Sequence, residues 1–414
     1  MPSSLLRLFS APWVLPICES PIADGAIILD DSDCIVAVGP NVALRQRFPD
    51  AANMHVEGAL MPALVNAHTH LELSALQTTE PSLPSGFIRW AADTMKRNTE
   101  LSTELRQQAI AAAITSLEHA GVGAIGDVGN TIAAVPAIST SPLIGSFFHE
   151  LTGTRQRQTG DAIASALSEC ASLPGPWPDR IRYTVSPHAL YSADPELLRD
   201  IFLATADHKT PTTIHVAEDR DEIEFLRYGS GSWQSTLTRM GFDPKRRCPG
   251  TGPLQYLRNL GAFHANRSPL LVHMVHVDEE DRAIAAAAGA TVVLCPRSNL
   301  AIGGQLPDVP SLLSSGISLA IGTDSLASSP SLSPWEEIAV LAAAFPDLPP
   351  ETWLKALTIG GGTGLHLHTM GSLAPGKRPG VIAVGPVDSA NPVAHLVNHP
   401  PSSVSWIARP QSSP

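Results

Sequence analysis

The sequence predicts an α/β protein: a (β/α)8, TIM-like barrel with a small β domain assembled from the two chain ends. Three observations predict it. Eight short β-like runs recur between residues 60 and 325, most of them separated by helical stretches. A β-rich segment stands at each end of the chain. Histidines and carboxylates collect at the C-terminal ends of the runs, where a barrel gathers its active-face residues.

The ends come first. Residues 1 to about 58 hold the short strand patterns AIILD, CIVAVG and MHVEG, with turn residues between them. Residues 371–400 read the same way, GSLAPGKRPGVIAVG carrying a turn and then a strand. The two ends are expected to meet in one discontinuous domain of 1–58 and 371–414, leaving 59–370 as the barrel.

Within that centre the eight candidates are LMPALVNAHTH, VGAIGDV, LIGSFFHEL, IRYTVSPH, TTIHVAE, LLVHMVH, TVVLCPRSN and SLAIGTDS. Helical stretches such as ELRQQAIAAAITSLEHAG and DEEDRAIAAAAG lie between them. Such alternation makes a parallel sheet, and eight strands close a barrel. A doubly wound open sheet would want a glycine-rich phosphate turn after its first strand, where NAHTHLE stands instead. The segment from Tyr228 to Pro269 is longer than most βα connections and is expected on the active face as a lid or binding loop.

Composition narrows the function. Of 414 residues, 43% are hydrophobic and 16% charged, the balance of a soluble globular enzyme. A formal net charge of −12 argues against nucleic acid or an anionic membrane as partner. The longest nearly apolar run, Ala283 to Cys295, is too short to span a bilayer. The N-terminal apolar patch is broken by prolines and lacks the flanks of a secretory signal. Five scattered cysteines without a C-x-x-C pair fit reduced thiols in the cytoplasm. The expected partners are one small-molecule substrate and, among macromolecules, at most a second copy in a homodimer.

The chemistry stands at the strand ends. The first strand offers His68 and His70, the fourth His188, the fifth His215 with Glu218, the sixth His273 and His276, the eighth Asp324. Each has a bland alternative: His188 as a turn residue capped by Ser186, Asp324 as a helix cap. Their joint placement on one face is harder to dismiss. His68, His70, His215 and Asp324 form an N/O ligand set for one Zn2+ or Fe2+ with room for a water, which such an ion brings toward hydroxide near neutral pH. Glu218, three residues past His215, is the expected proton shuttle.

The pieces PALVNAHTHLEL, SPHALYS, TIHVAE, LVHMVHVD, CPRSNLAIGG and IGTDSLASSPSL cover most of residues 60–340 in order. In them the chain resembles the amidohydrolase superfamily, in the branch of S-adenosylhomocysteine, guanine and related deaminases. The resemblance implies a distorted barrel with a small β-sandwich and one metal on His68, His70, His215 and Asp324. It implies that His273 polarises the attacking water, that Asp324 also accepts its proton, and that His188 contacts the substrate. Binuclear members bridge two ions with a lysine on the fourth strand, and IRYTVSPH has none. The usual Ala-Asp near the C-terminus is replaced by PGVIAV, a departure that touches the last strands and not the chemistry.

For substrate, HVAEDRDEIEFLRYGSGSW and GFIRWAADTMKRN resemble the aminodeoxyfutalosine deaminases of menaquinone biosynthesis. That implies hydrolytic deamination of an adenine-type nucleoside carrying a benzoate, with release of ammonia. Arg97 is the candidate cation for the benzoate, and Glu150 either binds ribose hydroxyls or pairs locally. The alternative is an amidohydrolase acting on another heteroaromatic C–N or C–Cl bond, as in guanine, a triazine, S-adenosylhomocysteine or methylthioadenosine. A scaffold without catalysis is disfavoured by the intact Glu218, His273 and Asp324. Glu72 is expected to back the metal ligands or face substrate, and the His366/His368 pair to be structural.

Overall fold

The computed structural model describes residues 5–77, 86–153, 159–173, 175–206, 210–264, 268–387 and 390–411. Among these residues the strands form three sheets. The first draws on both chain ends: β1 (Arg7–Val14), β2 (Ile22–Leu29), β3 (Ile35–Pro40), β4 (Ala52–His55) and β5 (Ala59–Pro62) join two strands from the C-terminal side. Those are β14 (Val381–Gly385) and β15 (Ser403–Ala408). The order is β15-β14-β5-β1-β2-β3, with β4 also paired to β1. The ends meet where β14 runs antiparallel to β5, Val381 opposite Pro62.

Two details differ from the strand patterns read in the sequence. β1 runs through the proline-broken N-terminal patch, which is not among the strand patterns read there. Pro12, exposed, falls between the pairs Ala11↔Gly25 and Trp13↔Ala23 and costs the ladder little. LMPALVNAHTH is not one strand. It breaks at Ala63, giving β5 to the end sheet and β6 (Leu64–Thr69) to the centre.

The centre comprises two four-stranded parallel sheets. One is β6, β7 (Val122–Gly129), β8 (Ile144–Leu151) and β9 (Ile181–Pro187); the other is β10 (Thr213–Val216), β11 (Leu270–His273), β12 (Thr291–Leu294) and β13 (Ser318–Ile321). Single parallel bridges join their edges, Ala189 to His215 and Thr69 to Asp324. Helices alternate with these strands. After β6 come α1 (Phe87–Thr99) and α2 (Thr103–His119), after β7 α3 (Val135–Thr140), after β8 α4 (Thr159–Ala171) and after β9 α5 (Pro195–Thr205). β10 is followed by α6 (Arg220–Tyr228), α7 (Gly231–Arg239) and α8 (Pro253–Asn259), and β11 by α9 (Glu279–Ala287). α10 (Pro296–Gly303) follows β12, and α11 (Pro334–Ala344) follows β13.

β6, β7 and β8 are buried along their whole length, as parallel strands covered on both faces must be. Alternate residues from both sheets, among them Val65, Ala67, Ala124, Val128, Phe148, Val272, Val293 and Ala320, share one apolar cluster. The other set, including Leu64, Ile125, Phe147, Leu271, Val292 and Leu319, packs in the larger core with the helices. TVVLCPRSN ends as strand at Leu294. Pro296, whose missing N–H and fixed φ suit a first helical position, opens α10 there.

Candidate active site

His68 and Asp324 are 256 residues apart and are locked together by backbone. The N–H groups of Thr323 and Asp324 both donate to the His68 carbonyl, at 2.9 and 3.2 Å. The Asn66 amide donates to the Thr323 hydroxyl at 2.8 Å. A register shift between Asn66 and Thr69 ends β6, and the chain turns into a 3-10 segment at Leu71 with His70 at its start. His215 is the third residue of β10 and His273 the last of β11.

Three imidazoles converge. The ring of His68 lies 4.8 Å from that of His70 and 4.9 Å from that of His215, edge to face. The Nε2 atoms of His70 and His215 are 3.3 Å apart. Oδ1 of Asp324 is 3.5 Å from Nε2 of His70 and 3.8 Å from Nε2 of His68. His215 donates from Nδ1 to the His188 carbonyl at 3.0 Å, which leaves its Nε2 lone pair facing the cluster. His68 is fully buried, and neither ring nitrogen has a hydrogen-bond partner among the described residues.

Burial keeps these rings neutral: it pulls His68 well below the usual imidazole range, His70 to about 4, and His215 below its ordinary value. Burial works against ionisation of Asp324, but His70, His273, the Ser298 hydroxyl and His215 outweigh it and hold the group below the ordinary carboxyl range. Neutral imidazoles with buried, unsatisfied lone pairs beside a carboxylate are the donor set of a divalent cation. The residues present therefore fit one metal ion. The groups His68–His70–His215 and Glu218–His273–Asp324 each bring their ligand atoms within 4.8 Å of one another.

Glu218 and His273 face each other, Oε1 to Nε2 at 3.4 Å. Burial first, then the charges of Asp324, Glu222 and Asp219, push the Glu218 carboxyl well above its ordinary value. Burial thus favours the protonated form, the one able to donate. Four non-glycine residues around these groups adopt left-handed backbone: Ala217 (φ 53°), His273 (φ 78°), Met274 (φ 51°) and Asp324 (φ 54°). Such conformations cost about 1–3 kcal/mol each and persist where the surroundings over-determine them.

The candidate substrate contacts divide. His188 lies beside the metal cluster, its ring 5.0 Å from that of His215. Its Nδ1 is 2.7 Å from the hydroxyl of Ser192, while Ser186, the partner considered from sequence, pairs with Thr212 instead. Glu150 reaches the cluster with Oε1 3.5 Å from Nδ1 of His215. Burial and Glu72 push its carboxyl up to about 7 against the pull of His215. Arg97 stands apart, exposed on α1, and donates to the Leu76 carbonyl at 3.2 Å.

Glu72 does not face the ligand nitrogens. It accepts from the backbone N–H groups of Asn130 and Thr131 and from the Thr131 hydroxyl, and Asn130 in turn donates to Glu150 at 2.9 Å. His276 lies three residues beyond the end of β11 and, among the described residues, outside the groups that bring ligand atoms together. Arg182, near the start of β9, donates to the His366 carbonyl, which puts the His366/His368 pair at the end of the strands opposite the site.

Several residues went unread in the sequence. Tyr191 stacks on Trp233 of α7 at 4.0 Å, and Phe87 packs within 6.3 Å of both. Tyr191 lies 5.9 Å edge-on from His188, so an aromatic wall leads away from the cluster. It includes part of the long segment read as a lid, whose residues 265–267 lie outside the described residues. Ser298 and Asn299 touch Asp324 and His273. They stood in plain view in CPRSNLAIGG, but single polar residues carry no periodicity that would mark them.

Comparison with known proteins follows the same lines. The amidohydrolase family pattern matches residues 59–404. An aminodeoxyfutalosine deaminase of Deinococcus radiodurans is 30% identical over 351 residues, covering 81% of this chain and 80% of the relative. The solved structure of Helicobacter pylori aminofutalosine deaminase with methylthio-coformycin superposes with a TM-score of 0.86 at 21% identity, over 99% of this chain and 100% of that one. An adenosine deaminase from Xanthomonas campestris with bound zinc superposes with a TM-score of 0.77 at 22% identity, over 98% and 92%.

Proposed function

The chain belongs to the amidohydrolase family, and from that premise we propose that it is a hydrolytic deaminase of an adenine-type nucleoside, aminodeoxyfutalosine foremost. It is an enzyme that acts on C–N bonds by hydrolysis. The observation that carries the reading is the meeting of three neutral imidazoles and the Asp324 carboxylate with a buried Glu218 whose carboxyl is raised well above its ordinary value. The architecture we infer around the site is a closed (β/α)8 barrel, with a small β-sandwich domain drawn from 1–58 and 371–414 whose sheet also takes in β5.

His68, His70, His215 and Asp324 would hold one divalent ion, Zn2+ or Fe2+, and the zinc-bound neighbour supports the first. When bound, the ion supplies Lewis acidity that brings the pKa of a water toward neutrality. The protein's own groups do the rest. Nε2 of His273 points to the same space as Glu218 and orients the water. Asp324 takes a proton from the water as the water's oxygen bonds to the amino-bearing ring carbon, and Glu218 protonates the adjacent ring nitrogen. Asp324 then passes its proton to the amino group, ammonia leaves, and the remaining hydroxyl proton restores Glu218 as the carbonyl forms. The buried walls exclude bulk water, which strengthens each of these interactions. His188 and Glu150 sit on the substrate side, and the exposed guanidinium of Arg97 is the rim contact assigned to an anionic substrate end.

Ammonia release from adenosine, methylthioadenosine, S-adenosylhomocysteine and aminodeoxyfutalosine, with metal content measured in parallel, tests the reading. Activity on none of the four by the metal-loaded protein overturns it. Arg97→Ala is expected to raise KM for the carboxylate-bearing substrate and leave KM for adenosine unchanged; equal effects on both remove Arg97 from the site.

A further inference from the structure

The first turn of α10 touches both halves of the site. Pro296 opens the helix, and the backbone N–H of Arg297 donates to the buried carboxyl of Glu337 at 3.0 Å, so the turn is anchored at its start. The next two residues are fully buried and polar. Ser298 donates from its hydroxyl to Oδ2 of Asp324 at 2.5 Å, and Ser328 reaches the same oxygen at 3.2 Å. The two hydroxyls are themselves 2.9 Å apart. Oδ2 is thereby occupied from one side, and Oδ1 alone is left toward His68 and His70.

Asn299 places its amide nitrogen 2.9 Å from Nδ1 of His273. An amide nitrogen only donates, so Nδ1 accepts and the ring proton sits on Nε2, facing Glu218. The amide oxygen of Asn299 is buried without a partner among the described residues. An unsatisfied buried carbonyl is a cost that packing alone would avoid with an apolar residue. The position holds an amide for its donor.

We propose that the first turn of α10 is a two-part positioning element, Ser298 directing the Asp324 carboxylate toward the metal and Asn299 fixing the His273 tautomer whose Nε2–H meets the water. The proposal rests on the roles assigned above to Asp324 and His273. Neither Ser298 nor Asn299 is catalytic; each acts through its neighbour.

The test uses the zinc-loaded full chain. Ser298→Ala is expected to lose zinc to a competing chelator about tenfold faster than the parent or more, with Ser298→Thr restoring retention. Asn299→Ala is expected to keep the parent's zinc off-rate and to lose about a hundredfold in kcat with KM within about threefold. Asn299→Asp keeps the volume but offers only acceptors. It should match Asn299→Ala in kcat and move the His273 ring proton to Nδ1, read from ring 15N shifts assigned with a His273→Gln variant. Parental zinc retention in Ser298→Ala, accelerated zinc loss in Asn299→Ala, or parental His273 shifts in Asn299→Asp overturns the proposal. Zinc retention and ring shifts are read without substrate. A chain that behaves as expected in both but deaminates no nucleoside sinks the assigned activity and leaves this inference standing.

Discussion

Burial raises the Glu218 carboxyl well above its ordinary value, which favours the protonated form, the one that can protonate a ring nitrogen. Glu218→Gln keeps the shape and removes the transferable proton. It is expected to retain metal and lose about a hundred- to ten-thousandfold in kcat, checked by elemental analysis beside a steady-state assay. His68 tests the other half of the site. Both of its ring nitrogens are buried without a partner among the described residues, so the ring is hard to explain without an ion. His68→Ala is expected to fall below half the parent's metal content while keeping its fold, as read by metal analysis and circular dichroism. At this scale much was legible beforehand, because His68, His70, His215, Glu218, His273 and Asp324 all stand at ends of recognisable apolar runs. Ser298 and Asn299 were not, since a hydroxyl or amide acts through a partner brought near only by folding.

Between strands the backbone leaves little slack. A Cβ on Gly322, just past β13, would lie 2.7 Å from Cβ of His68 and 2.9 Å from its carbonyl oxygen. Gly322→Ala must therefore push β6 and β13 apart at the ligand pair. It is expected to cost about 1–3 kcal/mol in urea unfolding and to weaken zinc retention together. α6 carries a different test. Burial pushes Glu222 from the ordinary 4.5 up to about 8, while its Oε2 accepts the Glu218 N–H. Between those values the folded chain keeps a proton that the unfolded chain has released, so folding stability falls as pH rises through that window. Glu222→Gln lacks this titration, and its unfolding midpoint should gain on the parent's between pH 5 and pH 8; a constant difference would refute the assignment. The elements misread in the sequence share one cause. Pro12 in β1, Ala63 between β5 and β6 and Pro296 after β12 are local signals whose meaning depended on which sheet the flanking residues joined.

Across the whole molecule, a bound ion would tie together strands from both four-stranded sheets, through His68 and His70 on one and His215 on the other. An ion that binds only the folded chain stabilises it by about 4 kcal/mol at a thousandfold excess over its dissociation constant. Chelation is accordingly expected to lower the thermal midpoint by several degrees and zinc to restore it, followed by calorimetry. The sequence by itself determined the α/β alternation, the order of the strands, the coming together of the two β-rich ends and the identity of the candidate ligands. Those features follow from local apolar periodicity and from residue chemistry at strand ends. Tertiary structure alone decided that Asp324 shows one oxygen to the histidines, that Glu72 serves Asn130 and Glu150, that Arg97 stands exposed on α1 against the Leu76 carbonyl, and that Tyr191 and Trp233 form a wall. Each of these depends on the direction of a side chain toward a partner tens to hundreds of residues away. Only the packed backbone sets that direction.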